Sequence, residues 1–282
     1  MPTPSTSSEQ VWRVTESGVE QRDDVVAIEE PLAVRIDGVV ACVTMRTPGS
    51  DRELAVGFLR SERILAAADD VDHIASETGE DGVDSIDVRL GNGARGRFLA
   101  SRRATIASTS CGLCGVADVN RILADVPTVV DGSPAARRPV APSTLLRLPD
   151  EMRRMQSAFD RTGGVHAAAI ADLRVAGHGS PELAVCREDV GRHNAVDKVI
   201  GWATLGRIEW LAQAALVVSG RTSFEIVQKA AVAGVPIVVA VSAPSSLAVD
   251  CARRAGITLV GFARAGAMNV YAGMERLARN GG

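Results

Sequence analysis

Cys111 and Cys114, in the run STSCGLCG, are the residues of this 282-residue sequence best suited to covalent chemistry. Gly112 lies between them and Gly115 directly after, so the backbone there can bend sharply and leave sulfur accessible. Five arginines, Arg89, Arg95, Arg97, Arg102 and Arg103, precede the pair, and no acidic residue intervenes after Arg89. Nearby cations favour thiolate over thiol, and a thiolate is the nucleophile that accepts a sulfane sulfur and passes it on. A helix beginning near Val116 would add the field of its N-terminus.

Other chemistries use the same motif. A CxxC is half of many zinc sites, but no second CxxC or HxxxH follows, and Cys42, Cys186 and Cys251 stand alone in strand-like or helical segments. A thioredoxin-type role expects an N-terminal βαβ context that is missing here. A zinc deaminase pairs H-x-E with a later P-C-x-x-C. Here His166-Ala167-Ala168 lacks the glutamate and follows the CxxC, and Ser110 replaces the proline. A structural zinc, with the chain acting as a non-catalytic cofactor chaperone, and a redox sensor both stay open as alternatives to sulfur transfer.

A second set of candidates stands where strand-like runs give way to helices. Ser219, Gly220, Arg221, Thr222 and Ser223 follow AALVV; Ser242, Ala243, Pro244, Ser245 and Ser246 follow PIVVAV; Phe262, Arg264 and Gly266 follow ITLVG. Loops at the carboxyl ends of parallel strands feed helix N-termini, whose free N–H groups attract anions. Thr222, Ser223 and Ser245 also suit plain N-caps. In EDVGRHNAVDKVIG, Val196, Val199, Ile200 and Ala203 form an apolar stripe that leaves Arg192, His193, Asn194, Asp197 and Lys198 for the other faces. His193 and Asp197, four residues apart, suit either an oriented imidazole for proton transfer or a surface pair.

The elements that must position these residues follow from pattern. Asp37-Gly38 between apolar runs predicts a hairpin in an antiparallel first layer, and Ser50 with Glu53 predicts a capping box opening a helix over 51–65. VDHIASE, DSIDVRL and RATIAS read as strands, and Pro149 as the first position of a helix reaching about residue 159. After residue 164, runs that are apolar throughout alternate with helical segments, the signature of βαβ units and a buried, mostly parallel sheet. The expected division is a disordered polar tail over 1–10, an α+β subdomain over 11–125 that ends in the CxxC, a linker over 126–142, and an α/β cofactor-binding domain over 143–282.

Composition narrows the setting. Hydrophobic residues make up 46%, enough for a sizeable core, and a net charge of −3 gives no electrostatic reason to bind nucleic acid. No apolar run approaches the roughly 18 residues of a membrane span, and the opening residues do not read as a secretory signal. Five thinly spread cysteines do not form a secreted disulfide framework, which implies a reducing, cytoplasmic setting.

STSCGLCG, EDVGRHNAVDKVIG, SGRTSFEIVQKA and GFARAGAMNVY, in this order, resemble the FdhD/NarQ family of formate dehydrogenase accessory sulfurtransferases. The resemblance implies a cytidine deaminase-like α/β fold with helices on both faces of the sheet, and a homodimer. It implies a persulfide on Cys111 with Cys114 as the supporting thiol. A cysteine desulfurase would donate the sulfur, and molybdenum bis(molybdopterin guanine dinucleotide) would receive it before insertion into formate dehydrogenase. The cofactor-binding segment maps to Phe262, Ala263, Arg264, Ala265, Gly266 and Ala267, with Met268 where the family's pattern is often aromatic. Ser219, Gly220, Arg221, Thr222, Ser242 and His193 complete the expected cofactor-binding set, and no resident metal is expected.

Overall fold

The computed structural model describes residues 5–79, 82–105, 126–129, 139–174 and 182–278. Two strands, β1 (Thr6–Thr15) and β2 (Gly18–Ala27), form an exposed antiparallel ribbon. β1 therefore begins inside the segment expected to be a disordered tail. The smaller layer follows: β3 (Glu30–Ile36), β4 (Val39–Arg46), α1 (Asp51–Ser61), β5 (Val71–Thr78), β6 (Asp84–Leu90) and α2 (Asn92–Thr105). Its sheet order is β4-β3-β6-β5, antiparallel except for the parallel pair β3/β6. Asp37 and Gly38 both take positive φ, 49° and 80°, as the expected two-residue hairpin requires.

Two local expectations are corrected here. Of RATIAS, expected as a strand, Arg103, Ala104 and Thr105 are the last turn of α2, and residues 106–108 lie outside the described residues. Ser50 precedes α1 but makes no capping bond among the described residues, because it sits in the left-handed region at φ 57° and Glu53 is turned toward Arg187 instead.

The larger layer holds α3 (Pro142–Arg154), α4 (Ser157–Thr162), β7 (His166–Asp172), β8 (Glu182–Asp189), α5 (Arg192–Leu205), β9 (Ala214–Val218), α6 (Phe224–Ala233), β10 (Ile237–Ala240), α7 (Ser246–Ala255), β11 (Thr258–Arg264) and β12 (Ala267–Ala272). Pro142, not Pro149, occupies the first turn of α3; Pro149 lies inside the helix. The stretch expected as a linker is anchored at both described ends. Val129 N–H donates to Ala255 O, and Val140 bridges Leu277.

The six-stranded sheet runs β12-β11-β10-β9-β7-β8. It is mixed rather than mostly parallel. β9, β10 and β11 are parallel, whereas β7 runs antiparallel to both β9 and β8, and β12 folds back antiparallel on β11. The second reversal is a two-residue turn in which Ala265 and Gly266 both have positive φ, 50° and 74°. Strands are buried on both faces, which accounts for their unbroken apolar runs. Ala168, Ile170, Leu216 and Val238 pack toward α5, α6 and α7; Ala167, Ala169, Ala215, Val217 and Val239 pack toward Leu145, Leu148 and Met152 of α3.

The two layers meet through α1 and α5, which cross with backbones in contact. A Cβ on Gly57 would stand 1.8 Å from Asp197 O, and one on Gly201 1.8 Å from Glu53 O. Arg187 adds a two-pronged ion pair to Glu53, at 2.6 and 2.8 Å. Among the described residues no helix is long and apolar enough to cross a membrane.

Candidate functional site

β8 ends in Asp189, whose carboxylate is fully buried and fully used. Oδ2 accepts from Lys198 Nζ at 2.7 Å and Thr47 N at 3.2 Å; Oδ1 accepts from Gly191 N at 2.8 Å and Asn194 Nδ2 at 3.1 Å. Lys198 also donates to Thr47 O and Glu188 O. A buried pair with every hydrogen bond made tolerates its desolvation and specifies one geometry, here the turn that launches α5 and the contact of that turn with the end of β4. Lys198 and Asp197, expected on the outer faces of α5, are therefore interior residues. Asp197 does not pair with His193; it accepts from Ser61 Oγ at 2.7 Å and takes Lys229 Nζ at 2.8 Å on each oxygen.

The carboxyl ends of β9, β10 and β11 lie beside the start of β7 and the end of β8, since β7 runs against β9. Three loops are stitched together along this edge. Ser219 Oγ accepts from Ala167 N at 2.9 Å; Thr222 N donates to Ala243 O and Thr222 O accepts from Ser245 N; Phe262 N donates to Ser242 O. Gly220 leaves room for His166, whose Nδ1 would be 3.2 Å from a Cβ there. Thus Ser219, Gly220, Thr222, Ser242 and Phe262, expected together, share one edge. Ala263 does not face it, being wholly buried against α3. Arg264, Ala265, Gly266 and Ala267 form the exposed tip of the β11–β12 hairpin, with the Arg264 guanidinium 5.7 Å from the Phe262 ring centre. Phe262 has φ 52° within the bulge between Gly261 and Arg264, strained backbone for a bulky residue.

The edge is cationic. Burial lowers the His166 pKa, and Arg192, Arg221 and His193 lower it further, outweighing Asp189. His166 and Arg192 escaped selection as binding residues because one reads as the start of a strand and the other as a helix-surface charge. Arg192 Nε and the Thr222 hydroxyl are both buried without a hydrogen-bond partner among the described residues, and Thr222 is 1% exposed. Buried polar groups left in this state suit a site that a ligand completes.

The hydroxyls sort by use. Ser245 is an ordinary N-cap, accepting from Ala248 N at 3.2 Å. Ser223 holds the N-cap position of α6 but makes no capping bond among the described residues; its Oγ lies 3.1 Å from His193 Nε2, which also meets Glu225 Oε2 at 2.9 Å. The His193 hydrogen bond lowers the Glu225 pKa more than burial raises it.

Cys111, Cys114 and the helix expected near Val116 lie outside the described residues. Burial, the largest cause in each case, pushes the thiols of Cys42, Cys186 and Cys251 up to about 12, so none of them supplies a thiolate near neutral pH. Of the arginines expected to activate the CxxC, Arg95 is paired with Asp37 at 2.9 Å and Arg97 with Asp70 at 2.6 Å. Those two serve the smaller layer. Among the described residues no group of three or more His, Cys, Asp or Glu side chains is placed to hold a metal ion.

Comparison with known proteins gives a consistent result. The sulfur carrier protein FdhD of Streptomyces avermitilis is 44% identical over 278 residues, covering 97% of this chain and 96% of that protein. The protein of the same name from Mycolicibacterium paratuberculosis is 46% identical over 278 residues, covering 96% and 98%. A crystal structure from Desulfotalea psychrophila, named for a formate dehydrogenase accessory protein, superposes with a TM-score of 0.74 at 25% identity, covering 98% of this chain and all of that one. The model of the FdhD/NarQ family matches residues 27–278, which with these relatives places the chain in the FdhD/NarQ family.

Proposed function

We propose that the chain is a sulfurtransferase that carries sulfur on Cys111 and delivers it, for formate dehydrogenase, to a molybdenum bis(molybdopterin guanine dinucleotide) cargo held over the carboxyl edge of the larger sheet. The observation that carries the reading is the cationic edge itself, where Arg192 and Arg221 gather beside His166 and His193 in a chain of net charge −3, with Arg192 Nε and Thr222 Oγ1 buried and unsatisfied among the described residues. Phosphates of a dinucleotide supply the acceptors these donors lack. The hairpin tip with Arg264 extends the same edge. The names of the relatives, sulfur carrier protein and formate dehydrogenase accessory protein, point to the same role. The hairpin β7–β8 followed by three parallel strands supports a cytidine deaminase-like fold.

The chemistry follows from the thiols. Cys111 thiolate attacks the outer sulfur of a donor persulfide on a cysteine desulfurase; the S–S bond of the donor breaks and its cysteine leaves as thiolate, with no net oxidation. Attack of Cys114 on the resulting persulfide frees sulfide to the cargo and leaves a Cys111–Cys114 disulfide, which a cellular dithiol reduces. In this reading the protein works in the cytoplasm, as a homodimer, between the sulfur donor and its client.

Intact mass after incubation with a cysteine desulfurase and cysteine tests the carrier step. The wild type gains about 32 Da, one sulfur atom, Cys111→Ala gains none, and Cys114→Ala retains the sulfur because release is blocked. Absence of the gain in the wild type, with stoichiometric zinc in the purified protein, would replace this reading with a cofactor chaperone whose CxxC is structural.

A further inference from the structure

We propose that His193 is the proton-linked contact for the phosphate-bearing ligand of this edge, with Glu225 as its positioning residue, an assignment that rests on the cofactor-site reading above. A carboxylate only accepts hydrogen bonds, so Glu225 Oε2 at 2.9 Å requires a hydrogen on Nε2 of His193. In the other tautomer two lone pairs would face each other at that distance. The Ser223 hydroxyl, 3.1 Å from the same nitrogen, can donate or accept and fits either partner. With Nε2 committed to Glu225, Nδ1 is the nitrogen left for a ligand.

The ring is held firmly. Glu225 and Lys229 stand one turn apart on α6, Lys229 grips both oxygens of Asp197, and Asp197 accepts from Ser61 at the end of α1. The Ser223 hydroxyl, at the N-cap position of α6, meets His193 instead of capping the helix, so the helix gives up a stabilising bond to hold this ring. Glu225 feels His193, Lys229 and Arg192; the buried Glu62 at the end of α1, its pKa raised by burial, couples to Glu225, Asp197 and Lys229; and His166 on β7 feels His193 together with Arg192, Arg221 and Asp189, the last paired with Lys198.

A phosphate oxygen cannot donate unless it is itself protonated, so an Nδ1 lone pair facing it is repulsive and an Nδ1–H is attractive. Docking of a phosphate therefore brings a proton onto Nδ1, giving an imidazolium clamped between Glu225 and the ligand. Affinity therefore rises as pH falls.

Guanosine diphosphate is the probe, titrated calorimetrically into the full chain at pH 6, 7 and 8, and at pH 7 in two buffers of different ionisation enthalpy. The wild type takes up protons on binding and gains affinity on acidification relative to His193→Gln, by up to about tenfold per pH unit. Comparison with His193→Gln removes the probe's own titration. Glu225→Gln keeps a hydrogen-bonding partner but not the charge, and should reduce the proton uptake while leaving the fold intact. Long-range proton–nitrogen spectra of the wild type, which has four histidines, read the tautomer directly without any variant. Neutral His193 carrying its hydrogen on Nδ1, or identical pH dependence in wild type and His193→Gln, overturns the assignment while the cofactor-site reading stands. Failure of the wild type to bind guanosine diphosphate at every pH overturns both.

Discussion

Lys198→Met should lower folding stability by about 3–5 kcal/mol, because it strands the Asp189 carboxylate in a fully buried position with its countercharge gone. Methionine fills similar space, so the loss reports the charge and not a cavity. Chemical denaturation followed by circular dichroism measures it as a lower midpoint. Adding Asp189→Leu removes the stranded charge but leaves the N–H groups of Thr47 and Gly191 without their acceptor. The double variant should regain part of the loss and remain below wild type. A single variant within 1 kcal/mol of wild type would mean that this pair does not order the turn into α5.

The crossing of α1 and α5 gives the second large effect. Ala at Gly57 would set a methyl 1.8 Å from Asp197 O, 2.6 Å from its carbonyl carbon and 2.8 Å from Gly201 N. Every one of these atoms is backbone, so no side-chain movement relieves the clash and the helices must separate. Gly57→Ala and Gly201→Ala are each expected to cost about 3 kcal/mol or more. Once the helices have parted for one methyl, the second enters space already opened. The double variant should therefore cost clearly less than the sum of the singles, and strict additivity would argue against a shared crossing point. Because Asp197 and Lys198 ride on the same helix, both singles should also weaken guanosine diphosphate binding.

The strands and helices of the larger layer were legible because burial on both faces leaves unbroken apolar runs separated by amphipathic segments, as in VHAAAIAD and PIVVAVS. Strand direction was not. A long apolar strand looks alike whether its neighbour runs with or against it, and the β11–β12 reversal uses Ala265 where a hairpin turn usually advertises Asn or Asp. The loops at the carboxyl edge could be read from their polar residues, yet Ala263, one of six consecutive candidates, points into the core because strand residues alternate faces. Helical spacing placed His193 beside Asp197, whereas the observed partners come from α6 and, for Asp197, also from Ser61 of α1, and no local pattern reveals a partner more than thirty residues away. Lys198 and Asp189 were hidden for a related reason: charge in sequence reads as surface until a buried countercharge is known.

Burial, pushing their thiols up to about 12, sets Cys42, Cys186 and Cys251 chemically apart from a freely accessible cysteine. At pH 7.5 a group with a pKa of about 12 is ionised to roughly one part in 30,000, so alkylating reagents meet almost no thiolate at Cys42, Cys186 or Cys251. Alkylation of the native protein by iodoacetamide within minutes is therefore expected at Cys111 or Cys114, which peptide mapping of the labelled sites checks. The wild-type chain can thus be footprinted before and after sulfur loading without removing a single background cysteine.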